Sequence, residues 1–285
     1  MKTPRISASS YSNTAPLVWS FLYGANHGKV EIILDNAPAR SSELLSQGRV
    51  DAALVPVIAS QFIEGVKLIP NVCVGAKERV RSVCLVTRGA GLEDVRSVSL
   101  DTSSRTSVVL TKIIFREFLG FEPEWRDSAP DLDAMLAESD AALLIGDPAL
   151  SVVEGGAGNT EFLVSSDPKD ESQISNLRSE IRKFDLAELW KRYTGLGFVF
   201  AMWMTTRNRC DIDFVAAKDE GLAHIDQIVA NYEPQLTLAR DELRTYLTEY
   251  ISFEPDESMR AGMELYLDLA RRNGLTRGVP VSYLE

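Results

Sequence analysis

Polar side chains follow an apolar run and precede a helical pattern at three places, residues 10–14, 101–107 and 146–148; the first two are rich in hydroxyl groups, and the third contains Asp147. The first turn of a helix leaves backbone N–H groups without intrahelical partners and carries a partial positive charge, so it favours an anion. A hydrogen bond to a charged group contributes about 1.5–3 kcal/mol, against about 0.3–1 kcal/mol from the helix dipole. The clusters therefore predict sites for carboxylate or phosphate in which side-chain donors dominate.

The same residue types also serve as ordinary helix caps, and the sequence leaves both interpretations open. Asn13 is a candidate cap with Pro16 in the first turn of its helix, and Asp147 is a candidate cap with Pro148 at the first helical position. Residues 101–107 offer five hydroxyls where one suffices for a cap. Arg105 stands at a helix start, where a cation is disfavoured, and this indicates a nearby carboxylate.

Apolar runs alternate with amphipathic segments over the first two hundred residues, which is typical of parallel strands joined by crossover helices. Strands are predicted near residues 4–9, 30–34, 51–55, 82–87, 97–100, 141–146 and 198–206. Helices are predicted near residues 14–23, 39–47, 56–64, 104–119, 131–138, 148–154 and 185–194. Three amphipathic helices follow, near residues 212–232, 239–252 and 255–273.

Two long apolar strands, at residues 81–89 and 197–207, are candidates for carrying the chain between two lobes. On this interpretation lobe one contains residues 1–87 and 203–285, and lobe two is an insertion of residues 88–202. Because the chain crosses twice, the lobes should enclose a cleft. The glycine-rich residues 154–159 are interpreted as a local loop.

Charge and composition restrict the class of partner. The net charge of −11 disfavours binding to nucleic acid or to an anionic membrane. The three scattered cysteines and two isolated histidines predict neither a metal site nor a disulfide framework, and no cofactor is predicted. Neither a membrane span nor a secretory leader is recognisable, so we expect a cytoplasmic protein, either a monomer or a homodimer.

Six motifs in order along nearly the whole chain resemble the menaquinone-biosynthesis family of the futalosine pathway. They are SYSNTAPL (10–17), ARSSELLSQGRVDAALVP (39–56), RSVCLVTRG (81–89), SVSLDTSSRTS (97–107), GDPAL (146–150) and TGLGFVFAMW (194–203). The first motif is similar to the chorismate dehydratase branch. A second branch, which makes 1,4-dihydroxy-6-naphthoate, reads Cys-Pro-Asn-Asp where this chain has residues 11–14. Gly197 departs from the proline often found there in the family.

The resemblance implies an α/β fold of the type 2 periplasmic-binding-protein kind, with two mixed sheets flanked by helices and a cleft between two lobes. It implies a lyase that removes water from chorismate, a small dianion, to give 3-[(1-carboxyvinyl)oxy]benzoate. The residues that match the family motifs are implied to bind substrate or to act on it. For binding these are Tyr11, Ser82, Ser104, Arg105, Thr106, Ser107 and Gly146, and for catalysis Asn13 and Asp147.

The proton acceptor has three candidates: Asp147, Asp101, or a carboxylate of the substrate itself, oriented by Asn13. Aromatisation of the ring drives the reaction, and this favours the substrate carboxylate. Asp147 is then either a helix cap or a partner for the departing hydroxyl. Phe198, Phe200 and Trp203 are candidates for an apolar lining, although core packing explains their pattern equally well. A solute-binding protein and a ligand-binding regulator are the non-enzymatic alternatives.

Overall fold

Ten strands form two mixed sheets in the computed structural model, which describes residues 3–36, 38–152 and 181–285. They are β1 (Arg5–Ser9), β2 (Glu31–Asp35), β3 (Ala52–Pro56), β4 (Lys67–Ala76), β5 (Val83–Arg88), β6 (Ser97–Asp101), β7 (Glu124–Ser128), β8 (Ala141–Ile145), β9 (Ile181–Asp185) and β10 (Phe198–Thr205). The first sheet has the order β2-β1-β3-β10-β4, and the second has the order β7-β6-β8-β5-β9. Each sheet is the centre of one lobe, which confirms the predicted fold class.

Helices cover both sheets. They are α1 (Ala15–Leu22), α2 (Pro38–Ser46), α3 (Thr106–Ile113), α4 (Leu132–Glu138), α5 (Gly146–Leu150), α6 (Leu186–Thr194), α7 (Phe214–Ala223), α8 (Ile225–Tyr232), α9 (Arg240–Thr245) and α10 (Glu257–Arg272). Two of them continue as π-helices, α3 through Ile114–Leu119 and α9 through Tyr246–Tyr250. No helix among the described residues is long and apolar enough to cross a bilayer.

One antiparallel strand stands between parallel neighbours in each sheet. β10 runs antiparallel to β3 and β4, and β5 runs antiparallel to β8 and β9. Each of these strands follows a crossing between the lobes, because β4 and β10 belong to the first sheet while β5 and β9 belong to the second. The predicted boundaries at 87/88 and 202/203 fall inside β5 and β10. We propose instead that the chain crosses at residues 77–82 and 195–197.

A half-buried carboxylate joins the first crossing to the start of α6. Asp185 ends β9 and accepts hydrogen bonds from the amides of Ala187 and Glu188 at the start of α6. Its other oxygen accepts from the amides of Val80 and Arg81 in the first crossing, at 2.8 and 2.6 Å. In the second crossing the Gly197 amide donates to Ser258 Oγ at 3.0 Å. A proline at 197 lacks this donor, so glycine supplies a bond between crossing and α10.

The predicted elements are found with small shifts at their ends, and three strands were missed. Residues 56–64 form only a 3-10 helix, Val57–Gln61. The helix predicted at 148–154 begins earlier, as α5, and its last two residues lie outside the described part of the chain, as does the loop predicted at 154–159. The missed strands β4, β7 and β9 are edge strands of the two sheets.

Candidate active site between the lobes

The polar segments of the candidate site all follow or precede strand ends at one edge of each sheet. Residues 10–14 follow β1 in the first lobe, whereas 102–107 and 146–147 follow β6 and β8 in the second. Ser82 precedes β5, which runs antiparallel to β8, so it lies at the same edge as residues 146–147. The carboxyl ends of parallel strands are where open α/β sheets bind their ligands. The topology therefore brings all three predicted polar clusters to the cleft.

The carboxylate of Asp147 binds the opposite lobe. Its Oδ1 accepts a 2.5 Å hydrogen bond from Ser12 Oγ, and the Ser12 amide lies 3.2 Å from both carboxylate oxygens. Burial raises the pKa of Asp147, and the hydrogen bonds from Ser12 offset only part of this effect. These bonds connect the start of α1 to the start of α5, so the two lobes are closed on each other at this point.

Tyr11 extends from the first lobe onto the second. Its ring packs on Gly146, and its hydroxyl interacts with the Ser103 side chain. Burial raises the pKa of Tyr11, and the nearby carboxyls Asp101 and Asp147 raise it further. The phenol is therefore neutral at physiological pH. Through Tyr11 the predicted segments 10–14 and 101–107 meet in one site.

Position 146 requires glycine because of its backbone conformation and because the Tyr11 ring lies against it. Its φ is +64°, and a Cβ at this position would lie 2.7 Å from Tyr11 Cδ2. We expect Gly146→Ala to cost about 1–2 kcal/mol of stability from the backbone alone, and to displace the Tyr11 ring. Urea unfolding measures the first effect, and loss of substrate affinity the second. Gly120→Ala is the control, since φ is +79° there but no atom lies within 4 Å of the added Cβ. Equal affinity in the two variants would contradict a role for the contact.

Asp101 is a buried carboxyl with one unpartnered oxygen. Its Oδ1 accepts from the amide and hydroxyl of Ser103, at 2.9 and 2.6 Å. Its Oδ2 is buried and has no hydrogen-bond partner in the part of the chain that the structure describes. Burial raises the pKa of Asp101, and the Ser103 hydroxyl and amide, with the nearby Ile145 amide, lower it by less. A carboxyl in this environment favours its protonated form.

This burial predicts a pH dependence of stability. The pKa of Asp101 is higher in the folded protein than in the unfolded chain, where it is about 3.9. Below the unfolded pKa the carboxyl is protonated in both states and does not change the free energy of unfolding. As pH rises through the folded pKa, ionisation of the buried carboxyl lowers that free energy. Among the described residues, the titratable side chain that interacts with Asp101 is Tyr11, which stays neutral over this range. Relative to Asp101→Asn, the unchanged protein should therefore lose stability as pH rises from about 4 through the folded pKa of Asp101.

Urea unfolding of both proteins across this range measures the difference. Asp140→Asn is the matched control, because a hydrogen bond from the Arg96 amide lowers the pKa of Asp140. Asp140 therefore stabilises the folded protein above its unfolded pKa, and this contribution is lost as pH falls through its folded pKa. At the acidic end of the range the effect of pH on stability thus has the opposite sign to that of Asp101. A difference for Asp101 that stays constant with pH would contradict the assignment.

The start of α3 contributes the second polar cluster. Ser104 Oγ accepts from the Ser107 amide at 3.3 Å, so it satisfies one amide in the first turn of this helix, whose N-cap position is Arg105. Thr106 Oγ1 accepts from the Ile58 amide of the first lobe at 3.3 Å, and the Thr106 carbonyl accepts from the Tyr266 hydroxyl at 3.0 Å. Ser104, Thr106 and Ser107 are buried, whereas Arg105 is exposed. This cluster thus both begins a helix and joins the lobes.

Asn13 and Ser82 meet at the hydroxyl of Tyr246. All of Ser82 and Tyr246 is buried, and Asn13 is half-buried. Burial raises the pKa of Tyr246 strongly, while the Ser82 and Asn13 side chains lower it by less, which places both beside the hydroxyl. Neither Ser82 Oγ nor Tyr246 Oη has a hydrogen-bond partner of acceptable geometry within the described residues. We refer to Asn13, Ser82 and Tyr246 as the hydroxyl-amide cup.

Two capping predictions were wrong. Asn13 lies inside a 3-10 turn, Ser12–Thr14, and α1 starts after Thr14 without a side-chain cap, although Pro16 does lie in its first turn. Asp147 lies inside the first turn of α5, which begins at Gly146 without a side-chain cap. The Asp147 carboxylate is bound to Ser12 instead. Both side chains are thereby directed to the cleft rather than to their own helices.

The aromatic residues of β10 form part of the core. Phe198 packs against Trp190, Phe200 and Tyr266, with ring centroids 4.7–5.4 Å apart. Trp203 packs against Phe214 at 4.5 Å. All three aromatic residues of β10 are buried. Their alternation is explained by packing between β10 and its flanking helices.

A groove of about 960 Å³ lies apart from these residues. It is lined by the first crossing and by the chain from the end of α9 to the start of α10, including Arg79, Tyr250 and Glu254. None of the residues predicted to bind or transform the substrate lines it. The geometry of the cleft, rather than the size of this groove, therefore identifies the candidate site.

Sequence reasoning missed two members of the site, Ser12 and Tyr246. Ser12 stands in the same polar cluster as Asn13, so its residue type gave a signal. Tyr246 belongs to a helix that reads as amphipathic, and no local pattern distinguishes it from a core residue. A third tyrosine, Tyr232, donates to the Ser10 carbonyl at 3.0 Å, and burial raises its pKa to about 12, with a contribution from Asp147.

Solved structures with a similar fold include two binding proteins. The ligand-binding component of an ABC-type import system from Staphylococcus aureus aligns with a TM-score of 0.64, at 13% identity, covering 100% of this chain and 97% of that one. The periplasmic aliphatic sulphonate binding protein of Escherichia coli aligns with a TM-score of 0.60, at 16% identity, covering 99% and 93%. At these identities the similarity shows the fold alone.

Sequence comparison is more specific. A curated chorismate dehydratase from Thermus thermophilus is 28% identical over 245 residues, which covers 83% of this chain and 85% of that protein. The family model described as menaquinone biosynthesis matches residues 4–272. This match spans both sheets and every polar cluster of the cleft. The chain therefore belongs to the menaquinone-biosynthesis family.

Proposed function

We propose that this protein is a lyase that eliminates water from chorismate, giving 3-[(1-carboxyvinyl)oxy]benzoate. The observation that carries the proposal is the convergence of uncharged donors from both lobes on one cleft, at Tyr11, Asn13, Ser82 and the start of α3. Its family membership and its similarity to a chorismate dehydratase support the choice of substrate.

The two carboxylates of chorismate match two groups of donors. One group is Asn13 with Ser82, beside the crossing between the lobes. The other is the start of α3, where Ser104, Thr106 and Ser107 surround the first backbone amides and Arg105 supplies a positive charge at the surface. Hydrogen bonds from neutral donors stabilise an anion without a paired charge. This suits a protein whose net charge of −11 repels a dianion at long range.

Elimination breaks the bond between ring carbon C3 and its hydrogen, and the bond between C4 and its hydroxyl oxygen. The electron pair from the C3–H bond forms the new C3=C4 bond, which makes the ring aromatic. We assign acceptance of the C3 proton to a carboxylate of the substrate, held in orientation by Asn13. The departing oxygen takes the electron pair of the C4–O bond and leaves as water after receiving a proton.

Asp147 fits the role of partner for that departing hydroxyl. It is not a helix cap, and burial raises the pKa of its carboxyl. A bound dianion nearby raises this pKa further, because two like charges disfavour ionisation. A protonated Asp147 then donates its proton to the leaving oxygen, which departs as water. The product releases the C3 proton from its carboxyl group to solvent, and Asp147 takes up a proton from solvent before the next turnover.

Opening of the lobes must precede binding. In the closed arrangement Ser12 holds Asp147 and the Tyr11 ring covers Gly146. These contacts therefore have to break before chorismate can enter the cleft. When they form again over the substrate, they exclude water from the reacting carbons. Open and closed arrangements of two lobes around a ligand are common among binding-protein folds.

Incubation of the purified protein with chorismate tests the proposal. Loss of chorismate with appearance of 3-[(1-carboxyvinyl)oxy]benzoate, identified by proton NMR, is the expected result. Saturable binding of unchanged chorismate would instead indicate a binding protein. The same assay without protein controls for the spontaneous decay of chorismate.

A further inference from the structure

The hydroxyl of Tyr246 is an unsatisfied polar group in the interior of the protein. The side chain is completely buried, its hydroxyl has no hydrogen-bond partner of acceptable geometry among the described residues, and Ser82 Oγ beside it is in the same condition. A buried polar group without a partner destabilises the folded state, and phenylalanine in this place would avoid the cost. Two such hydroxyls side by side indicate a role in which both are used.

Local structure directs the hydroxyl to the cleft. Tyr246 opens the π-helix Tyr246–Tyr250, in which its carbonyl accepts from the Ile251 amide at 3.1 Å. π-Helical segments inside α-helices occur often at functional sites. The hydroxyl lies near Ser82 and Asn13, and both Asp147 and Asp185 are close enough to raise its pKa. It therefore lies near both the carboxyl that closes the lobes and the carboxyl that binds the first crossing.

We propose that Tyr246 is a substrate-binding residue that donates a hydrogen bond, together with Ser82 and Asn13, to one carboxylate of the substrate. This rests on the proposed function for the identity of the substrate. The carboxylate oxygens would accept from the hydroxyls of Tyr246 and Ser82 and from the amide of Asn13, which gives each unpartnered donor a partner. Because burial keeps the phenol protonated, it acts as a donor only.

The proposal predicts an unusual combination of effects for Tyr246→Phe. The KM for chorismate should rise about 10-fold to 100-fold, the range for loss of a hydrogen bond to a charged group. The melting temperature should stay the same or rise, because the substitution removes a buried hydroxyl without a partner. A purely structural role for the hydroxyl predicts the reverse, with a lower melting temperature and an unchanged KM.

Thr276→Val is the matched control. Thr276 Oγ1 is also buried without a partner among the described residues, but it follows the carboxyl end of α10, outside the polar clusters of the cleft. Its removal should leave both KM and melting temperature close to those of the unchanged protein. Tyr266→Phe provides the opposite stability control, since that hydroxyl does donate to the Thr106 carbonyl, and its loss should lower the melting temperature.

Calorimetric titration with isophthalate, a rigid aromatic dicarboxylate, separates this proposal from the proposed reaction. Weaker binding of isophthalate by Tyr246→Phe than by the unchanged protein supports the binding role even if chorismate is not consumed. Turnover of chorismate with unchanged KM and isophthalate affinity in the variant would overturn the role of Tyr246 while leaving the reaction intact. If the unchanged protein binds neither isophthalate nor chorismate, both proposals fall.

Discussion

Replacing Asn13 by alanine is expected to lower turnover of chorismate by about 10²–10³-fold, the range for loss of one donor that stabilises developing charge. Asn13 lies beside Ser82 and Tyr246 in the hydroxyl-amide cup. In the proposed reaction its amide orients the carboxylate that takes the C3 proton. Loss of this donor leaves the substrate bound by the remaining groups but misdirects the acceptor, so kcat should fall more than KM rises.

Asn13→Asp is the sharper variant, because it retains the shape of the side chain and places a negative charge against the substrate carboxylate. Its turnover should be as low as that of Asn13→Ala or lower, and its KM should be higher. Asn208→Ala is the control, since Asn208 is an exposed asparagine outside the cleft that accepts from Lys67. Near-normal turnover in both Asn13 variants would remove Asn13 from the mechanism.

Asp185→Ala is expected to destabilise the protein by about 3–5 kcal/mol, the range for leaving several buried polar groups without partners. The Asp185 carboxylate accepts from four backbone amides, two at the start of α6 and two in the first crossing. One of those amides belongs to Arg81, whose φ of 62° is uncommon for a residue other than glycine. Without the carboxylate all four bonds are lost, and the first crossing is no longer tied to the start of α6.

Asp213→Ala is the control for Asp185→Ala. Asp213 caps α7 through one bond, to the Ala216 amide at 2.9 Å, and loss of such a cap costs about 1 kcal/mol. Urea unfolding of both variants therefore compares four amide bonds at a crossing with one at a surface helix. An equal loss of stability in the two variants would contradict the role assigned to Asp185.

Alternating apolar runs predicted the central strands well because those strands are buried on both faces. β3 and β8 are buried at every position, and their sequences are continuous apolar runs. The missed strands carry other signals. β7 reads EWRDS, and β4 contains Pro70 and, at Asn71, a φ of 64°. Both lie at sheet edges, where exposed positions and irregular pairing remove the pattern that the prediction needs.

The crossings proposed at residues 77–82 and 195–197 differ from the boundaries expected from the sequence for a similar reason. Those expected boundaries fall inside β5 and β10, so they divide each strand between the two lobes. Local periodicity cannot show which sheet a strand joins, because its partners are distant in sequence. Val83 pairs with Ile145 and Ala201 with Pro56. These pairings place each whole strand in the lobe that it enters.

Site residues were predictable where a polar side chain interrupts a strand-to-helix junction. Asn13, Ser104 and Asp147 are candidates of this kind, and for Asn13 and Asp147 capping was the alternative interpretation. Ser82 came from the family resemblance. Tyr246 follows neither route, since it lies far beyond the other clusters in sequence, and its unpartnered hydroxyl in the folded chain is what points to it.

A crystal structure of the protein with 3-[(1-carboxyvinyl)oxy]benzoate tests the central claim most directly. The account predicts the product between the two lobes, with one carboxylate against Asn13, Ser82 and Tyr246 and the other at the start of α3. Product bound outside the cleft, or with neither carboxylate at these donors, would contradict it.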